Sequence, residues 1–124
     1  MNFKIDTTKN QSIIAPDYHT LDDKLTDALQ MEIKKLQDEG HLNIIINLET
    51  VETSEPEARN QLLGLHEMIY ALEGSLVFTG LNDSLLKAMK KDQLHINLNI
   101  TPTMIEAIDI INMEILEREL FNEL

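Results

Sequence analysis

Any chemistry in this chain must come from histidines, hydroxyls and carboxylates, because it contains no cysteine. That absence excludes disulfide frameworks, thiolate catalysis, iron–sulfur clusters and cysteine-based zinc sites together. Four histidines are present, His19, His41, His66 and His95. No two stand at a metal-ligand spacing such as His-x-x-x-His, so they read as surface or packing residues. The glycine-rich dinucleotide motif, the phosphate-binding Gly-Lys-Ser/Thr motif and the Gly-x-Ser-x-Gly elbow are all missing. Paired carboxylates occur at Asp22-Asp23 and at Glu55 with Glu57. Both pairs fall where a helix is expected to begin, and acids there are favoured by the macrodipole and the free amides. The residues therefore supply no catalytic group, no cofactor-binding group and no metal ligand, and the expectation is a protein that is not an enzyme.

One segment carries more. Ser54 and Glu57 have the spacing of a capping box, and Pro56 between them suits the first position of a helix. The segment follows the apolar run Leu42–Leu48 through a short polar stretch, Glu49–Thr53. In an open α/β sheet the crevice beyond a strand's carboxyl end is where ligands and partners dock, and a helix start favours anions.

The elements that would position this segment follow from periodicity. Phe3–Asp6 and Ser12–Ala15 read as two short strands around a polar turn. Leu21, Leu25, Leu29, Ile33 and Leu36 recur at helical spacing. Thr20 with Asp23 reads as a capping box, and Gly40 as the left-handed stop. Leu42–Leu48 and Ser75–Thr79 read as strands buried on both faces. Between them lies a second helix with the stripe Leu62, Leu65, Met68, Ile69 and Leu72. Gly74 should end it, and Gly64 inside it suggests close packing on the sheet. A short helix over Ser84–Lys91 and a last strand over Ile96–Ile100 follow. Thr103 and Glu106 then cap a final helix with Ile105, Ile108, Ile111 and Ile115 on its buried stripe, and Leu116 is expected to face protein as well. Strands alternating with helices predict an α/β fold with a mostly parallel sheet.

Composition bounds the partners. The chain has 124 residues, enough for one domain over 1–124, with 116–124 as a possible helical extension or tail. Ten Lys and Arg stand against 22 Asp and Glu, a net charge of -12. Nucleic acid and anionic membrane surfaces want a basic footprint, so both are disfavoured. No apolar run approaches the ~20 residues of a membrane span and no leader is apparent, so the expected location is cytoplasmic.

The ordered pieces resemble the STAS family, the domain shared by anti-sigma factor antagonists and sulfate transporters. They are Leu21-Asp22, the run Glu39–Leu48, the run Gly74–Leu81, Thr101-Pro102-Thr103 and Glu106-Ala107. The resemblance covers about Phe3 to Leu120. It implies a single STAS-like α/β domain, with a mixed, mostly parallel sheet of four or five strands and about four helices. It also implies partner switching. A STAS protein of this kind binds an anti-sigma factor that is also an ATPase-type serine kinase, and phosphorylation within an Asp-Ser-Ser-Gly motif separates the pair.

Those motif positions here read Glu55-Pro56-Glu57-Ala58. Pro56 replaces the first serine, Glu57 the phosphorylated one, Ala58 the glycine, and Arg59 the apolar residue after it. Glu57 is thus either a fixed mimic of phosphoserine or a first-turn acid left by a decayed switch. Ser54 survives as a possible acceptor on the loop, although its expected work is capping. The resemblance implies a regulatory protein–protein interaction module without the usual acceptor. Its expected docking surface is Thr53, Ser54, Glu55, Pro56, Glu57 and Ala58, with the exposed helix start at Arg59 and Asn60. The alternative is a structural or assembly module, a homodimer or complex subunit joined through the apolar tail residues Leu116, Leu120, Phe121 and Leu124.

Overall fold

The computed structural model describes residues 1–123; Leu124 of the apolar tail lies outside them. The elements in order are β1 (Phe3–Thr7), β2 (Ser12–Pro16), β3 (Thr20–Leu21), α1 (Asp23–Asp38) and β4 (Asn43–Asn47). Then come β5 (Thr53–Ser54), α2 (Pro56–Tyr70), β6 (Ser75–Thr79), α3 (Asp83–Lys91), β7 (Asn99–Thr101) and α4 (Met104–Asn122). Five strands form one sheet in the order β1-β2-β4-β6-β7, and β3 pairs separately with β5. Only β1 runs antiparallel to its neighbour, so the sheet is mixed and mostly parallel, with four helices around it.

The central strands are apolar throughout because both faces are covered. On β4, Ile44 and Ile46 point into the larger core while Ile45 points to the opposite face. On β6, Leu76 and Phe78 share the larger core and Val77 joins Ile45. This is the two-residue alternation of a strand with a layer on each side. The larger core is completed by Leu25, Leu29, Ile33 and Leu36 of α1 and Leu62, Leu65 and Ile69 of α2. The smaller is closed by Ala107 and Ile111 of α4.

Several local expectations are corrected. The cap of α1 is Asp22, whose Oδ1 accepts from the Leu25 amide at 2.9 Å; Thr20 is occupied in β3. Gly40 does take a left-handed φ of 87°, but the left-handed residue after α2 is Glu73, not Gly74. Gly74 is needed for a different reason: a Cβ there would lie 2.0 Å from the Leu42 carbonyl oxygen. The strand expected at Ile96–Ile100 is shortened to β7, because a left-handed Gln93 is followed by a 3-10 turn over Leu94–Ile96 that buries Leu94. Ile105 leaves the sheet-facing stripe of α4 and is exposed.

Gly64 is the sharpest correction. A Cβ at that position would meet nothing within 4 Å, so close packing does not explain it. It instead borders an open groove of about 410 Å³ between α1 and α2. A mid-helix glycine without a steric reason leaves helix propensity uncollected. Gly64→Ala should therefore raise stability by about 0.5–1 kcal/mol in a denaturant titration.

Polar links fasten α4 to the sheet. Tyr70 Oη donates to Glu114 Oε1 at 2.7 Å and accepts from Asn99 Nδ2 at 2.8 Å and the Leu76 amide at 3.3 Å. Burial first, and the Glu114 carboxylate second, push the Tyr70 hydroxyl up to about 12, so it remains a donor. Arg118 reaches from α4 to Asn43 Oδ1 and Ser75 Oγ, both at 3.0 Å.

Candidate functional site

The β4–α2 connection leaves the sheet at the carboxyl end of β4 and is held on two sides. On one side Thr53 and Ser54 pair with Thr20 and Leu21 as parallel strands. The Glu52 amide donates to the His19 carbonyl at 2.7 Å, and the Glu55 amide to the Leu21 carbonyl at 2.9 Å. On the other side Asn82 donates through Nδ2 to the Glu52 carbonyl at 3.1 Å, while its Oδ1 caps α3 by accepting from the Leu85 amide. One asparagine thus ties the start of α3 to the approach of α2.

The start of α2 differs from the expected capping box. Pro56 occupies the first helical position, which makes Glu55 the N-cap, and no side chain caps the helix. Ser54 sits one residue too early to reach the helix amides. Its Oγ accepts instead from Arg59 Nη1 at 2.8 Å, and its carbonyl from the same nitrogen at 3.3 Å.

Arg59 is therefore not part of an exposed helix start. Its side chain is 11% exposed, and its Nε lies 2.8 Å from Asp92 Oδ2 just after α3. Ala58 is buried beside it. The arginine has turned inward and found a carboxylate, as a buried guanidinium must. It joins the β5 strand, the first turn of α2 and the end of α3 in one cluster.

The outward surface is what remains: Thr53, Glu55, Pro56, Glu57 and Asn60, all exposed, with Ser54 half-buried behind them. Glu57 makes no hydrogen bond or ion pair with any described residue, so its charge faces solvent. Glu49 and Glu52 lie on the same connection, and Arg59 at the start of α2 is already paired with Asp92. Further along the rim, Tyr18 donates to Asp22 Oδ2 at 2.9 Å, and this bond first of all raises the tyrosine hydroxyl above its usual range. The surface is acidic and preformed.

Asn82 and Asp92 were not singled out by sequence reasoning. Asn82 precedes α3 as a capping residue, and its second bond, to a carbonyl 30 positions away, has no local signal. Asp92 lies 33 residues from Arg59 and carries no local signal. Among the described residues, no group of three or more His, Asp or Glu is placed to hold a metal ion, and no helix is long and apolar enough to cross a membrane.

No protein-family model and no curated protein matches the sequence. Solved structures do match the fold. A Thermotoga maritima protein assigned as an anti-sigma factor antagonist superposes with a TM-score of 0.77 at 14% identity, over 89% of this chain and 94% of that one. Moorella thermoacetica RsbS carrying a serine-to-glutamate substitution gives 0.74 at 13% identity, over 95% and 99%. The anti-sigma factor antagonist SpoIIAA in its unphosphorylated form gives 0.69 at 18% identity, over 90% and 96%. The five-stranded α/β arrangement of this chain is thus the STAS fold.

Proposed function

We propose that this chain is a non-enzymatic regulatory module that binds a protein partner through the β4–α2 connection, in the manner of an anti-sigma factor antagonist. The observation that carries the reading is the connection itself. It stands beyond the carboxyl end of a central strand and is pinned by Arg59 and Asn82. It presents an unpaired acid at Glu57, where the resemblance places a phosphorylated serine. Similarity to anti-sigma factor antagonists of the same fold supports it. The partner of choice is an anti-sigma factor of the ATPase-type serine kinase class, in the cytoplasm.

Regulation then differs from the usual switch. Pro56 has no hydroxyl and Glu57 already carries a charge, so the position is locked out of phosphorylation. Of the hydroxyls on the connection, that of Thr50 donates to the Pro16 carbonyl and Ser54 Oγ is engaged by Arg59. The competing assembly reading, a homodimer through the tail, would use Leu116 and Leu120 on the outer face of α4, whose acidic side chains oppose a second copy; Phe121 is exposed on a different side, near Tyr70 and Arg118.

The test is a titration against anti-sigma kinases with a double variant, Thr53→Arg with Asn60→Arg. Both side chains are exposed, so folding should be unchanged in melting curves. Binding should weaken by roughly ten-fold or more if the partner covers this surface. Unchanged affinity in every pair that binds would remove the connection as the docking site. Mass spectrometry after incubation with kinase and ATP should show no phosphate, and phosphate on Ser54 would defeat the locked-switch reading.

A further inference from the structure

The last helix is apolar on two opposite sides. Met104, Ala107, Ile108, Ile111 and Ile115 face the sheet. At roughly 3.6 residues per turn, Ile105, Met113, Leu116 and Leu120 fall within an arc of about 80° on the other side. Each of these four is more than half exposed. This overturns the expectation that Leu116 packs on the sheet, and it has a physical reason. Arg118 and Glu114 fix the rotation of α4 through Asn43, Ser75 and Tyr70, and that rotation turns Leu116 outward. Four large apolar side chains gathered on one exposed arc are more than the scattered single hydrophobics that need no explanation.

The border of the outer face has one sign. Glu106, Glu117, Glu119 and Glu123 are exposed along it, and Asp109 is exposed within the face, between Ile105 and Met113. The helix contains a single cation, Arg118, and that side chain is turned to the sheet. A second copy would bring an identical acidic border against this one, on a chain whose net charge is already -12. An anionic lipid surface is opposed on the same ground.

We propose that the outer face of α4 is a second docking surface, separate from the β4–α2 connection, and that its occupant is a basic amphipathic helix of another protein. The outer face from Ile105 to Leu120 is about 22 Å long and apolar apart from Asp109, matching roughly four turns of such a helix with a basic residue opposite that carboxylate. Apolar side chains of the partner fill the stripe, and flanking Lys or Arg residues meet the acids. The surface does not depend on Glu57, so it stands whether or not the connection binds a kinase.

The test uses the full chain and three 18-residue synthetic probes: a helical Leu/Lys peptide, a Ser/Lys peptide of the same charge, and a Leu/Glu peptide of the same pattern. Fluorescence anisotropy should show binding of the Leu/Lys peptide alone, weakening as salt rises. Leu116→Asn with Leu120→Asn should reduce it by roughly ten-fold or more. Thr53→Arg with Asn60→Arg should leave it unchanged. Since Leu116 and Leu120 are exposed, the variant should melt as the parent does, and Met113→Asn serves as a milder second variant. Equal affinity of parent and variant, or equal binding of the Ser/Lys peptide, would reduce the effect to bulk charge and overturn the proposal. Sedimentation of the parent as a dimer that Leu116→Asn dissociates would also overturn it, by giving the face to a second copy.

Discussion

Asp92→Ala should cost about 3 kcal/mol of folding stability and lower the melting temperature by roughly 10 °C. The reason is the position of its partner. Arg59 is buried, with its Nε 2.8 Å from Asp92 Oδ2 and its Nη1 on Ser54. Removing the carboxylate strands a guanidinium in an apolar setting, beside Ala58 at the base of α2. Arg59→Ala should cost somewhat less, about 2 kcal/mol, because the orphaned Asp92 side chain is 32% exposed and can be hydrated. A pair on the surface would be worth about 0–1 kcal/mol, so denaturant titrations distinguish the two cases. Arg59→Met with Asp92→Leu should recover most of the loss, since apolar replacement of a buried pair is often close to neutral. In that double variant the loop should still loosen. Without Nη1 to hold Ser54, amide exchange at Thr53 and Glu55 should quicken while the core stays protected. A cost below about 0.5 kcal/mol for Asp92→Ala would show that the pair is not buried in solution.

That cluster also marks where the sequence ceases to be legible. Periodicity exposes anything repeated within one element. The α1 stripe of Leu25, Leu29, Ile33 and Leu36, and the strands around Ile44–Ile46 and Leu76–Phe78, are recoverable because each pattern matches one geometry. Thr103 caps α4 through the Glu106 amide as its spacing implies. Ser54 fails at the same kind of task because Pro56 takes the first helical position and shifts the cap to Glu55. A capping box is a spacing rule, and one residue of displacement removes the bond. Arg59 is harder still. Its type argues for solvent, and the carboxylate that draws it inward is separated from it by most of α2, the strand β6 and α3. For α4 the stripe Ile108, Ile111 and Ile115 is legible, but the neighbouring apolar residues Ile105 and Leu116 are not separable from it by spacing; the rotation fixed by the polar anchors Glu114 and Arg118 turns those two outward.

Glu57 carries the largest expected effect on binding. Its side chain is exposed in the first turn of α2 and pairs with nothing among the described residues, on a connection that is otherwise fastened. As a mimic of phosphoserine it would repel the partner with one charge and two oxygens, against roughly two charges and three oxygens for the phosphate. Glu57→Ser or Glu57→Gln would then remove a like-charge or desolvation cost of about 1–3 kcal/mol and tighten binding to an anti-sigma kinase by roughly 5- to 150-fold. As the remnant of a decayed switch, the same carboxylate does nothing but interact with the macrodipole and the free amides of the helix start. With no capping bond to lose, its replacement should cost only about 0.3–1 kcal/mol and leave affinity alone. The two variants separate charge from shape, since glutamine keeps the length and hydrogen-bonding reach while serine supplies a short hydroxyl. Equal tightening by both assigns the effect to charge. Titrations of both against the same kinases, beside melting curves, read affinity and stability independently. Mimicry requires the first to move by more than the second, and unchanged affinity with slightly lowered stability leaves Glu57 as a helix-start acid and nothing more.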